Sequence, residues 1–151
     1  MSKPLRFFIA GIIQGSLADQ VHPQAYRGEI AGLLRAAFPG AEVFDPVEEY
    51  PDSLSYDDAE AGAAFFYLMG RAGSCDVLVA FIPEASMGTA IELWNAHRRG
   101  SLVVAVSGLT RNWVIRCLSD LVVPDLAALE KVVKSGNLAD AVREKLRKRQ
   151  S

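Results

Sequence analysis

The sequence predicts an α/β protein, a three-layer sandwich in which helices cover both faces of a five-stranded parallel sheet. Short apolar runs rich in β-branched and aromatic residues alternate with longer helical patterns, as in repeated strand–helix units. Pro39-Gly40, Gly73-Ser74 and Gly100-Ser101 supply the punctuation expected where helices end. A chain of 151 residues, 50% of them hydrophobic, suffices for one substantial core, so 1–151 is read as a single domain.

In chain order, the first strand is expected over 6–13, where Phe7-Phe8-Ile9-Ala10-Gly11-Ile12-Ile13 is an apolar run closing on Gln14-Gly15-Ser16. It is too short for a membrane span and lacks the small-x-small site of a secretory leader. A helix over 24–38 leads to a short strand over 42–44. The connection 45–58 is longer than such units usually need and carries Tyr50, Tyr56 and several acids, which fits a lid over a ligand or a surface loop. Helix 57–72 and strand 76–82 follow, then helix 88–99, strand 102–106, helix 112–118, strand 121–123 and helices 125–134 and 138–149. Right-handed crossovers arrange five such strands in the flavodoxin-like (Rossmann-like) order 2-1-3-4-5. In that order the loops after strands one and three share a crevice.

Charge and cysteine content narrow the partners. A formal net charge of -2 and a pI near 5.7 argue against a nucleic-acid polymer or an anionic membrane surface. The basic run from Arg143 to Arg149 reads as the solvated end of a last helix, where positive charge suits the dipole. Cys75 and Cys117 lie in apolar sequence settings without CxxC or His/Cys ligand spacing, which points to reduced thiols in a cytoplasmic protein with no metal site.

The chemistry concentrates in Pro83-Glu84-Ala85-Ser86-Met87-Gly88-Thr89-Ala90-Ile91-Glu92, directly after the third strand. Ser86 and Gly88 can open a helix whose free N–H groups and positive dipole end favour an anion. Gly88 permits close approach of a ligand. Glu92, three residues after Thr89 and four after Gly88, shares their helical face over the crevice. The same Thr89-x-x-Glu92 spacing also fits a capping box, which would give Glu92 a purely structural role. In the first loop, Gly11, Gly15 and Ser16 match neither the dinucleotide fingerprint nor a P-loop, and they read as donors to the same ligand or as a plain strand-exit turn.

Strand, Pro-x-x-Ser-x-Gly-Thr-x-x-Glu-Leu, helix, small-residue turn and strand together resemble the nucleoside 2-deoxyribosyltransferase superfamily, most closely its nucleoside 5′-monophosphate N-glycosidases. The specific matches lie within 76–93. The resemblance implies Glu92 as a nucleophile that attacks C1′, with Ser86, Gly88 and Thr89 on a 5′-phosphate and Gly11, Gly15 and Ser16 along the sugar and phosphate. Serine at position 86, where transferases of free nucleosides usually carry Asp, suits a phosphate because it donates a hydrogen bond and brings no repelling charge. The resemblance further implies a small-molecule nucleotide or nucleoside ligand, no cofactor, and a homo-oligomer, a dimer or higher, in which Asn112 helps complete a neighbour's site. Asn112 also reads as an N-cap, with Trp113 as a packing anchor. His97 is placed at the far end of the Glu92 helix, and His22 in a polar loop.

One departure bears on mechanism. Family enzymes usually carry an Asp eight residues before the residue equivalent to Asp76, and Leu68 stands there. The family's first-loop tyrosine is also not evident, with Phe8 and Ile12 near its place. Asp57, Asp58 and Glu60 lie two or more turns earlier. General-acid help to a leaving group is typically worth about 10²- to 10⁴-fold. The leaving group therefore differs, or the reaction is slow, or the protein binds a nucleotide without cleaving it.

Overall fold

The structure, a computed structural model, describes residues 3–14 and 22–151. The elements run β1 (Arg6–Gly11), α1 (Ala25–Ala37), β2 (Glu42–Phe44), α2 (Pro46–Glu49), α3 (Asp58–Ser74), β3 (Val77–Phe81), α4 (Met87–Arg98), β4 (Leu102–Val106), α5 (Trp113–Leu118), β5 (Leu121–Val123), α6 (Leu126–Lys134) and α7 (Asn137–Gln150). The five strands form one sheet in the order β2-β1-β3-β4-β5, every neighbouring pair parallel, as the sequence predicts.

Alternation along the central strands divides the core in two. Phe7, Ile9, Val77, Val79 and Val104 pack with Ile30 and Leu34 of α1, Leu129 of α6 and Leu138 of α7. Phe8, Ala10, Leu78, Ala80 and Val103 face the other way, with Ala72 of α3, Leu93 and Ala96 of α4 and Ile115 of α5. Strands buried on both faces read as unbroken apolar runs, which is why they were legible.

Local chemistry sets the ends. Gly100 adopts a φ of 81°, the left-handed conformation that terminates α4, and Gly40, with φ 83°, sits in the Phe38–Ala41 turn just after α1. Gly73 is different: α3 continues through Ser74, so Gly73-Ser74 does not stop the helix at residue 72. The first strand ends at Gly11, short of the expected residue 13. The 45–58 connection is partly helical, since Asp45 caps α2 and Ser53–Ser55 form a 3-10 turn. Both cysteines are free, Cys75 buried and Cys117 on the surface rather than in an apolar setting. The basic side chains of α7 engage acids, Arg147 and Lys148 with Glu144 and Arg149 with Asp76. Among the described residues, no helix is long and apolar enough to cross a membrane.

At the carboxyl end of the sheet, side chains from the start of α1 satisfy the last carbonyls of β1 and its exit. Arg27, 3% exposed, donates to Ile9 O at 3.2 Å, Gly11 O at 3.0 Å and Asp45 Oδ1 at 3.1 Å. Its Nε reaches Gln24 Oε1 at 2.6 Å, while Gln24 Nε2 donates to Ile12 O at 3.0 Å. Because Asp45 Oδ1 also accepts from Val47 N, one buried ion pair joins α1, β1 and the start of α2. Arg27→Met leaves the buried Asp45 carboxylate without its counter-charge and removes the guanidinium donors to two carbonyls, and is expected to cost about 3–5 kcal/mol in urea unfolding. Adding Asp45→Asn, which removes the stranded charge, should restore part of that loss; no recovery would mean that the charge is not what destabilises the single variant.

Candidate functional site

A cavity of about 950 Å³ opens at the carboxyl ends of β1 and β3, at the switch point of the sheet. It collects residues that the sequence separates widely. Gly11 and Gln14 come from the end of β1, Ser86, Gly88, Thr89 and Glu92 from the start of α4, and Asn112 from the cap of α5. Of the residues expected at the site, Gly15 and Ser16 lie outside the described residues. The remaining six line this one cavity.

The start of α4 decides between the two readings of Glu92. The helix begins at Met87, one residue before the expected start, with Ser86 as its N-cap. Ser86 Oγ accepts from Thr89 N at 3.4 Å and from Thr89 Oγ1 at 3.0 Å. No acid stands in the first turn, so Glu92 belongs to the second turn and forms no capping box with Thr89. Thr89, 2% exposed, serves to hold Ser86, since its N–H and hydroxyl both point at that oxygen. With two bonds accepted, the Ser86 hydroxyl keeps its own proton to donate. A Cβ built on Gly88 would meet nothing within 4 Å, so the space above this turn is open.

Glu92 is 8% exposed, and its carboxyl makes no hydrogen bond among the described residues. Burial pushes its pKa up to about 8, and the Arg27 charge opposes that rise only in part because Asp45 already engages the guanidinium. Tyr26 also faces this carboxyl electrostatically, and burial pushes the phenol up to about 12, so it remains a neutral donor. Its Oη donates to Ile12 O at 3.3 Å, and its ring packs on Phe81 with centroids 4.5 Å apart.

Tyr26, Arg27 and Asp45 were not singled out in the sequence. The signal was present in Tyr26-Arg27, where a guanidinium falls on the face of α1 that also carries Ile30 and Leu34 and must be buried with them. A second stripe was also readable. Ala61, Ala64, Phe65, Leu68 and Met69 follow the i, i+3, i+4, i+7, i+8 spacing of one helix face, and that face of α3 lines the cavity. Leu68 is thus a wall residue. Asp57 and Glu60 do not replace a carboxylate there, because they bond each other's backbone in the capping box of α3, at 2.8 and 3.0 Å. The 45–58 connection contributes Ser53 and Tyr56 to the lining.

Asn112 lines the cavity and also caps α5, its Oδ1 accepting from Val114 N at 3.0 Å and Ile115 N at 3.3 Å. Trp113 is 78% exposed and anchors no packing. His97 stacks on Trp94 and lies 3.2 Å from Leu118 O, outside the cavity lining. His22 pairs with Glu84 at 2.8 Å. The described residues contain no cluster of His, Cys, Asp and Glu able to hold a metal ion.

No protein-family model matches the chain, and no curated protein matches it. Solved structures do. A 2-deoxyribosyltransferase from Bacillus psychrosaccharolyticus superposes with a TM-score of 0.63 at 18% identity, over 83% of this chain and 90% of that one. A conserved protein from Enterococcus faecalis V583 gives 0.62 at 17% identity, over 88% and 99% of the two chains. The chain has the fold of these structures. A CMP N-glycosidase from Clostridium botulinum aligns at 0.48 and 17% identity, over 85% of this chain and 97% of that one.

Two predictions follow from this geometry. A Cβ on Gly11 would lie 2.2 Å from Tyr26 Oη and 2.8 Å from its ring, so Gly11→Ala must displace a packed aromatic. It is expected to cost about 1–3 kcal/mol, and the cost should shrink in a Tyr26→Leu background; an unchanged cost would place the strain elsewhere. Glu92 makes stability depend on pH. The folded chain keeps this proton where the unfolded chain has lost it, so the contribution of Glu92 is fully present below about pH 4.5 and is lost as pH rises towards 8. The slope in that window should approach ~1.4 kcal/mol per pH unit and flatten in Glu92→Gln, a difference that urea titrations at several pH values measure directly.

Proposed function

We propose that the cavity binds a nucleoside 5′-monophosphate and that Glu92 cleaves its N-glycosidic bond. The observation that carries this reading is a buried carboxylate without a hydrogen-bond partner among the described residues, facing a cavity one turn beyond a serine-capped helix start. A carboxylate so placed is available to a ligand rather than to the fold. The Ser86 hydroxyl and the free N–H groups of Met87 and Gly88 would take the phosphate, aided by the positive end of α4. Held there, the sugar extends along α4 towards Glu92.

In the proposed reaction a Glu92 carboxylate oxygen attacks C1′ as the C1′–N bond breaks through an oxocarbenium-like transition state, giving a glycosyl ester. Water then attacks C1′ and releases the sugar phosphate. An acceptor base in place of water would make the same site a transferase. Gly11 and Asn112 would line the sugar and base. A homo-oligomer belongs to this proposal and accords with the exposure of Trp113 and Val114 beside Asn112, although Asn112 itself lines this chain's own cavity. A second reading, nucleotide binding without cleavage, is favoured by Leu68 in place of an acid.

Liquid chromatography of the protein incubated with nucleoside monophosphates should reveal free base. Glu92→Gln is expected to lower release at least about 10³-fold, and Ser86→Ala to raise KM about tenfold with little change in kcat. Because the nucleophile must be ionised, kcat/KM should climb through about pH 8. Nucleotide affinity with no base released by wild type selects binding without cleavage.

A further inference from the structure

Resting on the nucleotide reading above, we propose that the preferred substrate carries a leaving group whose glycosidic nitrogen is already cationic, a pyridinium-type N-glycoside 5′-phosphate. Two independent features of the cavity carry this. The first is the wall against which a leaving group would rest. The apolar stripe of α3, with Leu68 at its centre, forms that wall, and Glu92 is the one carboxyl lining the cavity among the described residues. The other polar lining groups are amides, aliphatic hydroxyls and the Tyr56 phenol; neither His97 nor His22 lines it. A neutral purine or pyrimidine departs as an anion unless it is protonated, so this wall suits it poorly. A pyridinium ring departs neutral.

The second feature is charge. Glu92 sits in a mostly apolar enclosure, and the guanidinium nearest to it, Arg27, is already paired with Asp45 and two carbonyls. Tyr26, the other group facing it, is neutral. The carboxylate therefore lacks a dedicated counter-charge, and a cationic ring bound beside it supplies one. Phe65 and Tyr56 put two aromatic side chains in the same lining.

The steps balance without an added acid. A lone pair of the Glu92 carboxylate forms the O–C1′ bond, and the C1′–N pair returns to the ring nitrogen and cancels its positive charge. Water then forms the new bond to C1′, the ester pair returns to Glu92, and the water's proton passes to solvent. The products are a neutral pyridine, a sugar 5-phosphate and one proton.

The test compares nicotinamide mononucleotide, as the pyridinium probe, with AMP and CMP as neutral-base probes, on the full-length wild-type chain. Base release is followed by chromatography and binding by calorimetry. The expected result is a kcat/KM for the pyridinium nucleotide about 100-fold or more above those of AMP and CMP. It should also bind about tenfold more tightly than AMP, a margin that disappears in Glu92→Gln. Equal or faster release of adenine or cytosine overturns this inference and leaves the glycosidase reading standing. No release and no binding of any of the three overturns both.

Discussion

The buried guanidinium of Arg27 ties helix, sheet and cavity together, and its geometry constrains everything built at the strand ends. A parallel strand that stops inside the protein leaves its last carbonyls in an apolar setting, where each must find a donor. Here Gln24, Tyr26 and Arg27 satisfy Ile9, Gly11 and Ile12 from within one turn of chain. The charge that accompanies these donors is balanced by Asp45, which simultaneously caps α2. A single ion pair thus sets the exit of β1, the entry of α1 and the path after β2. The first and last of those segments supply Gly11, Ser53 and Tyr56 to the cavity lining.

That arrangement also explains the state of Glu92. An arginine free to swing would pair with the carboxylate and hold it ionised. Fixed by four hydrogen bonds, the guanidinium acts on Glu92 only through space, and burial prevails over it. The position of Glu92 is decided elsewhere, by Ser86. Capping at 86 rather than 88 or 89 sets the phase of α4, turning Glu92 and Thr89 inward while Met87, Ile91 and Trp94 face out. Inserting one residue between Ser86 and Glu92 would rotate the carboxylate by about 100°.

Much of this was legible in the sequence because it rests on short-range patterns. Unbroken apolar runs marked β1, β3 and β4, and Gly40 and Gly100 marked helix ends through a backbone conformation other residues adopt at a cost. Ser86, Gly88 and Glu92 were readable because strand, turn and helix are contiguous there. Tyr26, Arg27 and Asp45 were not, since their meaning arises from contacts up to 18 residues apart that form only when the sheet assembles. The apolar face of α3 was visible as a helix stripe, yet periodicity does not distinguish a face that meets the core from one that walls a cavity. Gly73 misled for a related reason: a helix packed on its neighbour tolerates a glycine that would end an isolated one.

The cavity lining joins a helix start capped by a neutral serine to a single carboxyl among the described residues, and this bears on why its residues differ as they do. The amino terminus of α4 and a neutral serine make a setting that favours an anion. Further along α4 stands Glu92, which shares the lining with the apolar stripe of α3. An Asp at position 86 would oppose a phosphate at the helix start. An Asp at position 68 would place a second acid in the enclosure with Glu92, and two like charges that close disfavour ionisation of both. Leu68 and Ser86 therefore act in the same direction, leaving Glu92 as the one acid of the lining among the described residues and the start of α4 to an anion. A ligand that is anionic at its phosphate and cationic at its ring, with a sugar between, matches this polarity. Such a ligand would ionise Glu92 by its own charge, so binding would generate the nucleophile that the apolar enclosure otherwise holds protonated.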